Sequence, residues 1–520
     1  MNAEAPLRKR NERKLIVFVN APNDDWSAAA DGLSGQYIEH SDWANMPHAG
    51  LLSIASYLAS RTDYEPVYFD GTINHPDELL GFVKQNAPDI RAIGFSMLSA
   101  NAQTTCGLMR ACKSIAPHIV TMIGNDHASF FAASLAASQS GVLDAIFIGD
   151  SPYGPLTRFL KAVELGGAVD TTSKTNVQIF ESARETEFPP YQFDLIDRHF
   201  PHMAAYQRNF RNGVAAAVFE RLGIHVKSAI PIHIAQGCLK FVAKDPCSFC
   251  SIYPGKDGKA HIQDADAAWA RIHAAYCAGF DYFYVTADEL SQTFPQFLSR
   301  MEAARPQWSE GLFENGRALL VGYARADGLA NRRVVKTLQN IGFRLLMVGF
   351  DAFDGAALTA FGKGMTWEDD RQLARQRSAL ANCRDANLSV KAGIVVGYFG
   401  ATEADIEFQV AAASRIFDEF GDVIFSADVE ILSPEPGSRD YLRLTNRETA
   451  LLDASRLGSD RLSDYLLRAS PVCSHSYEGR TSAISRYASE LMIGVSVEHL
   501  IDARQRIRGA AKRANIYVAG

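Results

Sequence analysis

Short apolar runs alternate with amphipathic stretches along most of the chain. The first run, Leu15-Ile-Val-Phe-Val-Asn-Ala-Pro22, predicts a strand. A polar loop and a helix over Gly50–Ala59 follow. Further strands are expected at Glu65–Asp70, Ala92–Ser96, Ile119–Gly124 and Ala145–Gly149, with helical patterns between them. Five short strands alternating with helices predict a doubly wound parallel sheet, flavodoxin-like, over residues 14–165. Each strand ends in small or polar residues: Asn20-Ala21, Ser96, Gly124-Asn125 and Gly149-Asp150-Ser151. That carboxyl edge is where such sheets hold ligands.

Residues 166–228 read as a proline-punctuated, aromatic strap packed on the surface, with Phe188-Pro-Pro-Tyr-Gln-Phe-Asp-Leu-Ile196 at its centre. The strand and helix rhythm then resumes over residues 229–441. Apolar runs stand at Ala229–Ala235, Tyr282–Thr286, Ala318–Tyr323, Phe343–Gly349, Ser389–Gly397 and Val423–Ile431. Six such units suit an open, partial (β/α)6 barrel, since a complete one needs eight. Residues 442–520 look helical, with a Cys473-Ser-His475 to which the pattern assigns no use.

Three of the eight cysteines, Cys238, Cys247 and Cys250, fall within Gln236–Tyr253, directly after the Ala229–Ala235 run. They occupy a loop leaving a strand end, where α/β folds place ligands. Three thiolates can hold three irons of a [4Fe-4S] cluster and leave the fourth open to a small chelator. A Cys3His zinc site with His233 or His261 is an alternative, and ordinary buried cysteines are another.

Composition narrows the classes. A chain of 520 residues with 47% hydrophobic and 21% charged residues is ordinary for a soluble protein of two to four domains. A net charge of -7 argues against a general binder of nucleic-acid phosphates. There is no Walker loop and no GxGxxG fingerprint. No apolar run reaches membrane-spanning length. The basic start, MNAEAPLRKRNERK, lacks the apolar core of a secretory signal, so residues 1–13 read as a solvated tail. Dispersed cysteines form no disulfide framework, which points to the cytoplasm.

The cysteine loop and the motifs after it resemble the radical S-adenosylmethionine (SAM) superfamily. That family carries a three-cysteine loop after the first barrel strand, often with an aromatic residue just before the last cysteine, and Phe249 fills that place. The spacing departs: Leu239–Pro246 separates the first two cysteines, where the commonest form has a shorter gap. The resemblance implies that SAM completes the cluster. Its amino group would be met by Asp288 and Glu289 of Ala287-Asp288-Glu289, in the place the family often fills with Gly-Gly-Glu. A solvated acidic pair at a helix start is the alternative there. Gly349-Phe-Asp351, followed by Phe361-Gly-Lys-Gly-Met-Thr366, resembles the stretch after strand four, where a carboxylate contacts SAM, which assigns Asp351. Gly393-Ile-Val-Val-Gly397 with Tyr398 matches the strand-five glycine motif. It places Gly393, Val395, Gly397 and Tyr398 beside adenine, the glycines allowing close approach. Ser433-Pro-Glu-Pro-Gly437 also has the family's look. Arg325 is expected to bind cofactor and Tyr323 to line the pocket, with plain packing of both as the alternative. Asp428 and Glu430 alternate onto one face of the last strand. Inward acids bind cationic or hydroxylated groups, and a salt-bridged rim is the alternative.

Residues 14–165 resemble the cobalamin-binding domain attached to many radical SAM enzymes. The matching stretches are Pro47-His48-Ala49-Gly50-Leu51-Leu52, Ile123-Gly-Asn-Asp-His-Ala128 and Ile148-Gly-Asp-Ser-Pro152. The cobalt-ligating Asp-x-His-x-x-Gly of the best-known carriers is absent, because His127 directly follows Asp126. The resemblance implies cobalamin against Asn20, Ser96, Gly124, Asn125, Gly149 and Asp150. His127 would touch a loop or the nucleotide tail instead of cobalt. A sheet that has lost its cofactor and serves as a lid is the alternative.

Together these imply an enzyme like the class B radical SAM methyltransferases, with SAM, a [4Fe-4S] cluster and cobalamin. One SAM methylates cobalt and another yields a 5'-deoxyadenosyl radical, so that an unactivated carbon of a small-molecule substrate is methylated. Electrons would come from an external donor such as flavodoxin or ferredoxin, and no nucleic acid or membrane is expected as partner. Two rivals remain: radical rearrangement, cyclisation or dehydration without methyl donation by cobalamin, and a zinc-containing binding or regulatory protein.

Overall fold

The computed structural model describes residues 13–24, 45–149, 151–165, 177–181, 188–252, 259–363, 369–468 and 485–518. Most of the N-terminal tail, Asp150, Tyr253, the Gly364-Met365-Thr366 end of the 361–366 run, Cys473 and His475 lie outside the described residues. The chain divides into two compact units, one of residues 1–24 and 48–203, the other of residues 25–47 and 204–520.

In the first unit a parallel sheet is built from β1 (Leu15–Asn20), β2 (Glu65–Asp70), β3 (Ile90–Ser96), β4 (Val120–Gly124), β5 (Ala145–Ile148) and β6 (Gln178–Glu181). The order is β2-β1-β3-β4-β5-β6. Every residue of β1 is buried, as a central parallel strand covered on both faces requires. Val17, Val19, Phe69, Ile93, Ile123 and Ile146 form the core with Leu79, Val83 and Met109. Five strands match the apolar runs. The sixth, β6, falls inside the expected strap; its residues are only half-buried or exposed, so no apolar run announces it. Its Phe180 stacks on Phe147 with ring centroids 5.2 Å apart. The chain steps from β1 to β2 on one side and then crosses to β3 on the other. The switch point therefore opens between the carboxyl ends of β1 and β3.

The second unit begins its sheet at β7 (Ala229–His233). A two-stranded ribbon follows, β8 (Ala235–Gln236) with β9 (His261–Ile262). Then come β10 (Tyr282–Thr286), β11 (Leu319–Arg325), β12 (Phe343–Asp351), β13 (Ser389–Val396) and β14 (Ile424–Ile431). The large sheet is parallel in the order β7-β10-β11-β12-β13-β14. Among the described residues β14 does not return to β7, so the barrel is open and partial. Its floor is apolar: Tyr282, Tyr284, Val321 and Leu345 pack against Phe210, Val218, Ile224 and Val226.

An open edge strand invites stray pairing, and the C-terminal residues cover it. Ala427 N donates to Tyr517 O at 3.0 Å and Tyr517 N to Phe425 O at 3.2 Å. Arg504, on the helix Val497–Arg513, donates through Nε to Val429 O at 2.7 Å. Further helices at Arg439–Thr445, Arg447–Arg456 and Asp460–Arg468 fulfil the helical expectation for this region. Among the described residues no helix is long and apolar enough to cross a membrane.

Candidate functional site

At the switch point of the first unit, Asn20 and Ser96 are register partners, and Asn20 also pairs with Asp70. Asn20 Nδ2 donates to Asp70 Oδ1 at 3.0 Å. His48 caps the helix Ala49–Arg61: its Nδ1 accepts from Leu51 N at 3.3 Å. The other nitrogen, Nε2, is then free to donate to Ser96 Oγ, 3.3 Å away. Burial holds the His48 ring below its ordinary pKa although Asp70 opposes the shift, in keeping with a neutral ring that accepts at one nitrogen and donates at the other. Asn125 Nδ2 also donates to Ser96 Oγ, at 2.9 Å. Asn125 itself has φ 81° and ψ -176°, a region used almost only by glycine, and its Oδ1 accepts from Asp126 N at 2.8 Å.

Other expected cofactor contacts are placed as follows. Gly149 N donates to Ser129 Oγ at 3.0 Å. A Cβ on Gly124 would stand 3.4 Å from Phe147 O, so glycine there allows β4 and β5 to close up. His127 is 3% exposed, 3.0 Å from Ser99 Oγ and packed against Phe131. Burial lowers its pKa to about 4, so the ring is a neutral part of the packing behind the edge.

In the second unit the cysteine loop leaves β7. Its long first spacer folds into one helical turn, Leu239–Val242, closed by an ion pair between Lys240 and Asp245. Gly237 has φ 90°, and a Cβ there would lie 2.8 Å from Ala260 Cα, so the neighbouring ribbon demands glycine. The loop after β10 grips both sides of Cys238. Gly237 N donates to Asp288 Oδ2 at 2.6 Å, and Leu239 N to Thr293 Oγ1 at 2.9 Å. The expected acidic pair therefore divides. The Glu289 carboxylate is engaged by Ser291, Gln292 and Thr293 of its own turn, including Thr293 N at 2.8 Å. Asp288 stays open to solvent, while dense surroundings push its carboxyl up from its ordinary value.

The second half of the loop is a tight turn in which Cys250 N donates to Cys247 O at 3.0 Å. Phe249 meets Phe361 edge to face at 5.2 Å. Two cations stand beside the thiols. Arg325 Nη1 is 3.9 Å from Cys247 Sγ and is held by Asp327. Burial opposes the Arg325 charge, but Asp327 and the Cys247 and Cys238 sulfurs overcome it and raise its pKa. Lys363 pairs with Asp351 and lies 5.9 Å from the Phe249 ring centroid. Its pKa is raised against burial by Asp351 and Cys247. Gly349 leaves room for this pair: a Cβ there would stand 3.0 Å from Lys363 Nζ and 3.2 Å from Asp351 Oδ1, so the ion pair would have to shift. Burial pushes the Cys250 thiol up to about 12, with Cys247, Asp288 and Cys238 adding to it. The three sulfurs are thus within electrostatic reach of one another. Among the described residues no three His, Cys, Asp or Glu side chains converge as a single metal ion needs, with or without His233 and His261.

Below this loop the inward face is layered. On β13 Lys391, Gly393 and Val395 are half-buried and alternate with buried Ala392, Ile394 and Val396, so the odd positions face the lumen. Above the apolar floor, the register joins Tyr323, Met347, Lys391 and Ser426 across four strands. The next layer joins Arg325, Gly349, Gly393 and Asp428. Lys391 Nζ lies 2.9 Å from Asp428 Oδ2. Tyr323 packs edge to face on Tyr284. Glu430 faces the same side but pairs with buried Arg504 at 3.2 Å, the salt-bridged rim. Gly393 meets nothing nearer than backbone at 3.7 Å, whereas the Cβ position of Gly397 is filled by Met492. Tyr398 is buried against Phe361.

Comparison with known proteins bears on both units. Residues 44–152 match the B12 binding domain family. A solved structure of TsrM from Kitasatospora setae, a radical S-adenosylmethionine methyltransferase with cobalamin and a [4Fe-4S] cluster bound, superposes with TM-score 0.59 at 13% identity, over 84% of this chain and 75% of that one. The chain carries a domain of the B12-binding family and shares the fold of that solved methyltransferase. This chain also aligns with the cobalamin-dependent S-adenosylmethionine radical enzyme OxsB with aqua-cobalamin bound, at TM-score 0.58 and 12% identity, over 86% of this chain and 62% of that one. The hopanoid C-3 methylase of Methylococcus capsulatus is 22% identical over 373 residues, 70% of this chain. The match spans 63% of that methylase. The resemblance read from the residues is thus met by relatives in sequence and in fold.

Sequence reasoning missed Lys363, Lys391, His48, Ser248 and Asp440. All but Asp440 lie inside stretches already singled out. Lys391 had a readable signal: a lone cation at an inward position of an otherwise apolar strand.

Proposed function

We propose that the protein is a cobalamin-dependent radical SAM methyltransferase acting on an unactivated carbon of a small molecule. The observation that carries this is the placement of Cys238, Cys247 and Cys250 on one loop at the carboxyl end of the first barrel strand, with Arg325 3.9 Å from Cys247 Sγ. The donor set fits the group. Each thiolate of a cluster site binds its own iron, so the sulfurs need not converge on one point as zinc ligands do. A buried arginine and a half-buried lysine beside them suit an anionic cluster. When bound, the cluster and cobalamin supply the electron and the methyl carrier.

The chain's own residues bind and orient. Asp288 keeps one oxygen on Gly237 and turns its solvent-open side toward the ammonium of SAM's methionine end. Gly393 leaves room beside Gly349 for the adenosyl group. Lys391 and Asp428 meet the polar part of the substrate, and the aromatic floor of Tyr282 and Tyr284 keeps water out from below. In the first unit Asn20, Ser96 and Asn125 present polar groups at the switch point where the corrinoid would lie. The named activities of TsrM and the Methylococcus methylase support methyl transfer. Reducing electrons come from an external donor such as flavodoxin or ferredoxin.

Anaerobic purification tests the reading. About four irons per chain with sulfide, together with corrinoid absorbance, are expected. Zinc without iron would point instead to a binding or regulatory protein. Incubation with methyl-labelled SAM and small-molecule extract is expected to move label into product. Label left in methionine while 5'-deoxyadenosine forms would indicate radical rearrangement. Cys238→Ala, Cys247→Ala and Cys250→Ala are each expected to abolish 5'-deoxyadenosine formation, and retained formation would falsify the cluster role.

A further inference from the structure

Ser248 sits between two of the three thiols, and each of its polar atoms is held. Its N–H donates to Phe361 O at 2.8 Å, and its carbonyl accepts from Asp440 N at 2.9 Å. Its hydroxyl donates to Asp440 Oδ2 at 2.8 Å. Asp440 is fully buried. Its other oxygen takes Arg443 Nη1 at 2.6 Å. Arg443 Nε donates in turn to Asp453 Oδ2 at 2.9 Å, and Arg439 Nε to the same oxygen at 2.7 Å. The Arg443 guanidinium lies 4.3 Å from the centroid of the Phe399 ring. A buried carboxylate is retained only with such partners. This chain of four charges runs through the helices Arg439–Thr445 and Arg447–Arg456, outside the six barrel units. It ends on the backbone and hydroxyl of one residue in the cysteine loop.

Two thiols three residues apart point where the turn between them points. The Ser248 anchors leave that turn little freedom. We infer that Asp440 is a positioning residue for the iron–sulfur cluster: through Ser248 it holds the Cys247–Cys250 turn so that both sulfurs face the barrel and the cluster's open iron faces SAM. This rests on the cluster reading above. The C-terminal helices then do more than cover the barrel, because they set the geometry of the metal loop from behind.

The test uses the full chain, reconstituted anaerobically with iron and sulfide, as wild type, Ser248→Ala, Ser248→Thr and Asp440→Asn. Three quantities are read: iron per chain, the electron paramagnetic resonance spectrum of the reduced cluster with and without SAM, and the thermal melt. Wild type and Ser248→Thr are expected to hold about four irons and to show a SAM-induced spectral shift. Ser248→Ala is expected to melt cooperatively near the wild-type temperature, yet to drop to about three irons or fewer, or to lose the SAM-induced shift; Asp440→Asn, which takes a buried partner from Arg443, is expected to melt lower and to show the same loss of iron or of the shift. A purely structural clamp would move the melt and leave the shift intact. Wild-type iron content and an unchanged SAM-shifted spectrum in both variants overturn the inference while leaving the cluster reading in place. If Asp440→Asn fails to fold, Ser248→Ala, which removes a single hydroxyl, decides alone. Wild-type protein that takes up no iron overturns both.

Discussion

Lys391 Nζ lies 2.9 Å from Asp428 Oδ2, on adjoining strands and on the inward face of the barrel unit. The two side chains are 18% and 38% exposed, so the carboxylate is the more accessible partner. A half-exposed pair adds little stability, about 0–1 kcal/mol. Its position in a lumen with an apolar floor supports the proposal that it meets the polar part of the substrate. Asp428→Asn should leave the melting temperature within a few degrees. It should raise KM for the substrate about tenfold, as loss of a hydrogen bond to a charged group would. An unchanged KM measured against the same substrate would assign the pair to the barrel wall alone.

Arg325 holds a full positive charge beside Cys247 and shares it with Asp327. A cation near a cluster stabilises the oxidised form less than the reduced one. Arg325→Gln should therefore make the cluster harder to reduce, by on the order of tens of millivolts. Potentiometric titration of the reconstituted protein reads this directly, and an equal or more positive potential in the variant contradicts it.

Asn125 adopts a backbone conformation that costs a non-glycine residue about 1–3 kcal/mol. Its side chain recovers part of that by capping Asp126 N and donating to Ser96. Asn125→Ala keeps the strain and loses both bonds, so denaturant unfolding should show a loss of about 1–3 kcal/mol. Asn125→Gly relieves the strain and should be close to neutral. It should nevertheless weaken cobalamin binding, because Ser96 loses a partner at the switch point. The two variants having equal stability would remove the strain argument.

His127 gives a pH dependence with a definite sign. Its pKa falls from 6.5 to about 4 on burial. The unfolded chain then binds the proton more readily than the folded one. Stability associated with the neutral ring is complete above about pH 6.5 and is lost as pH falls toward 4, amounting to about 3 kcal/mol at the acid end. His127→Gln should flatten that part of the profile in unfolding titrations between pH 7 and 4. A wild-type profile that stays flat over this range would show that the ring is accessible to protons.

Much of the fold was legible because parallel strands buried on both faces are written as apolar runs. All six barrel strands and five of the sheet strands stand where those runs stand. β6 was not, since an edge strand reading Gln178-Ile179-Phe180-Glu181 buries too little to leave a pattern. The candidate site was legible in part. The cysteines and Asp288 are together, but Glu289 builds its own turn and Gly397 makes room for Met492. Both resemble ligand-binding positions in sequence, because a carboxylate after a strand and a glycine at a strand end look the same whether a cofactor or the chain itself fills the space.

The amino-acid order by itself determined the two α/β units, the loop that gathers three thiols and the polar carboxyl edges, because each follows from residues close together in the chain. The three-dimensional packing decided which polar groups meet: Ser248 with Asp440, 192 positions apart, Lys391 with Asp428, and Arg325 with Cys247. No local pattern carries such pairings. They arise when strand register and helix docking bring distant segments to one place, where burial makes an unmatched charge too costly to keep.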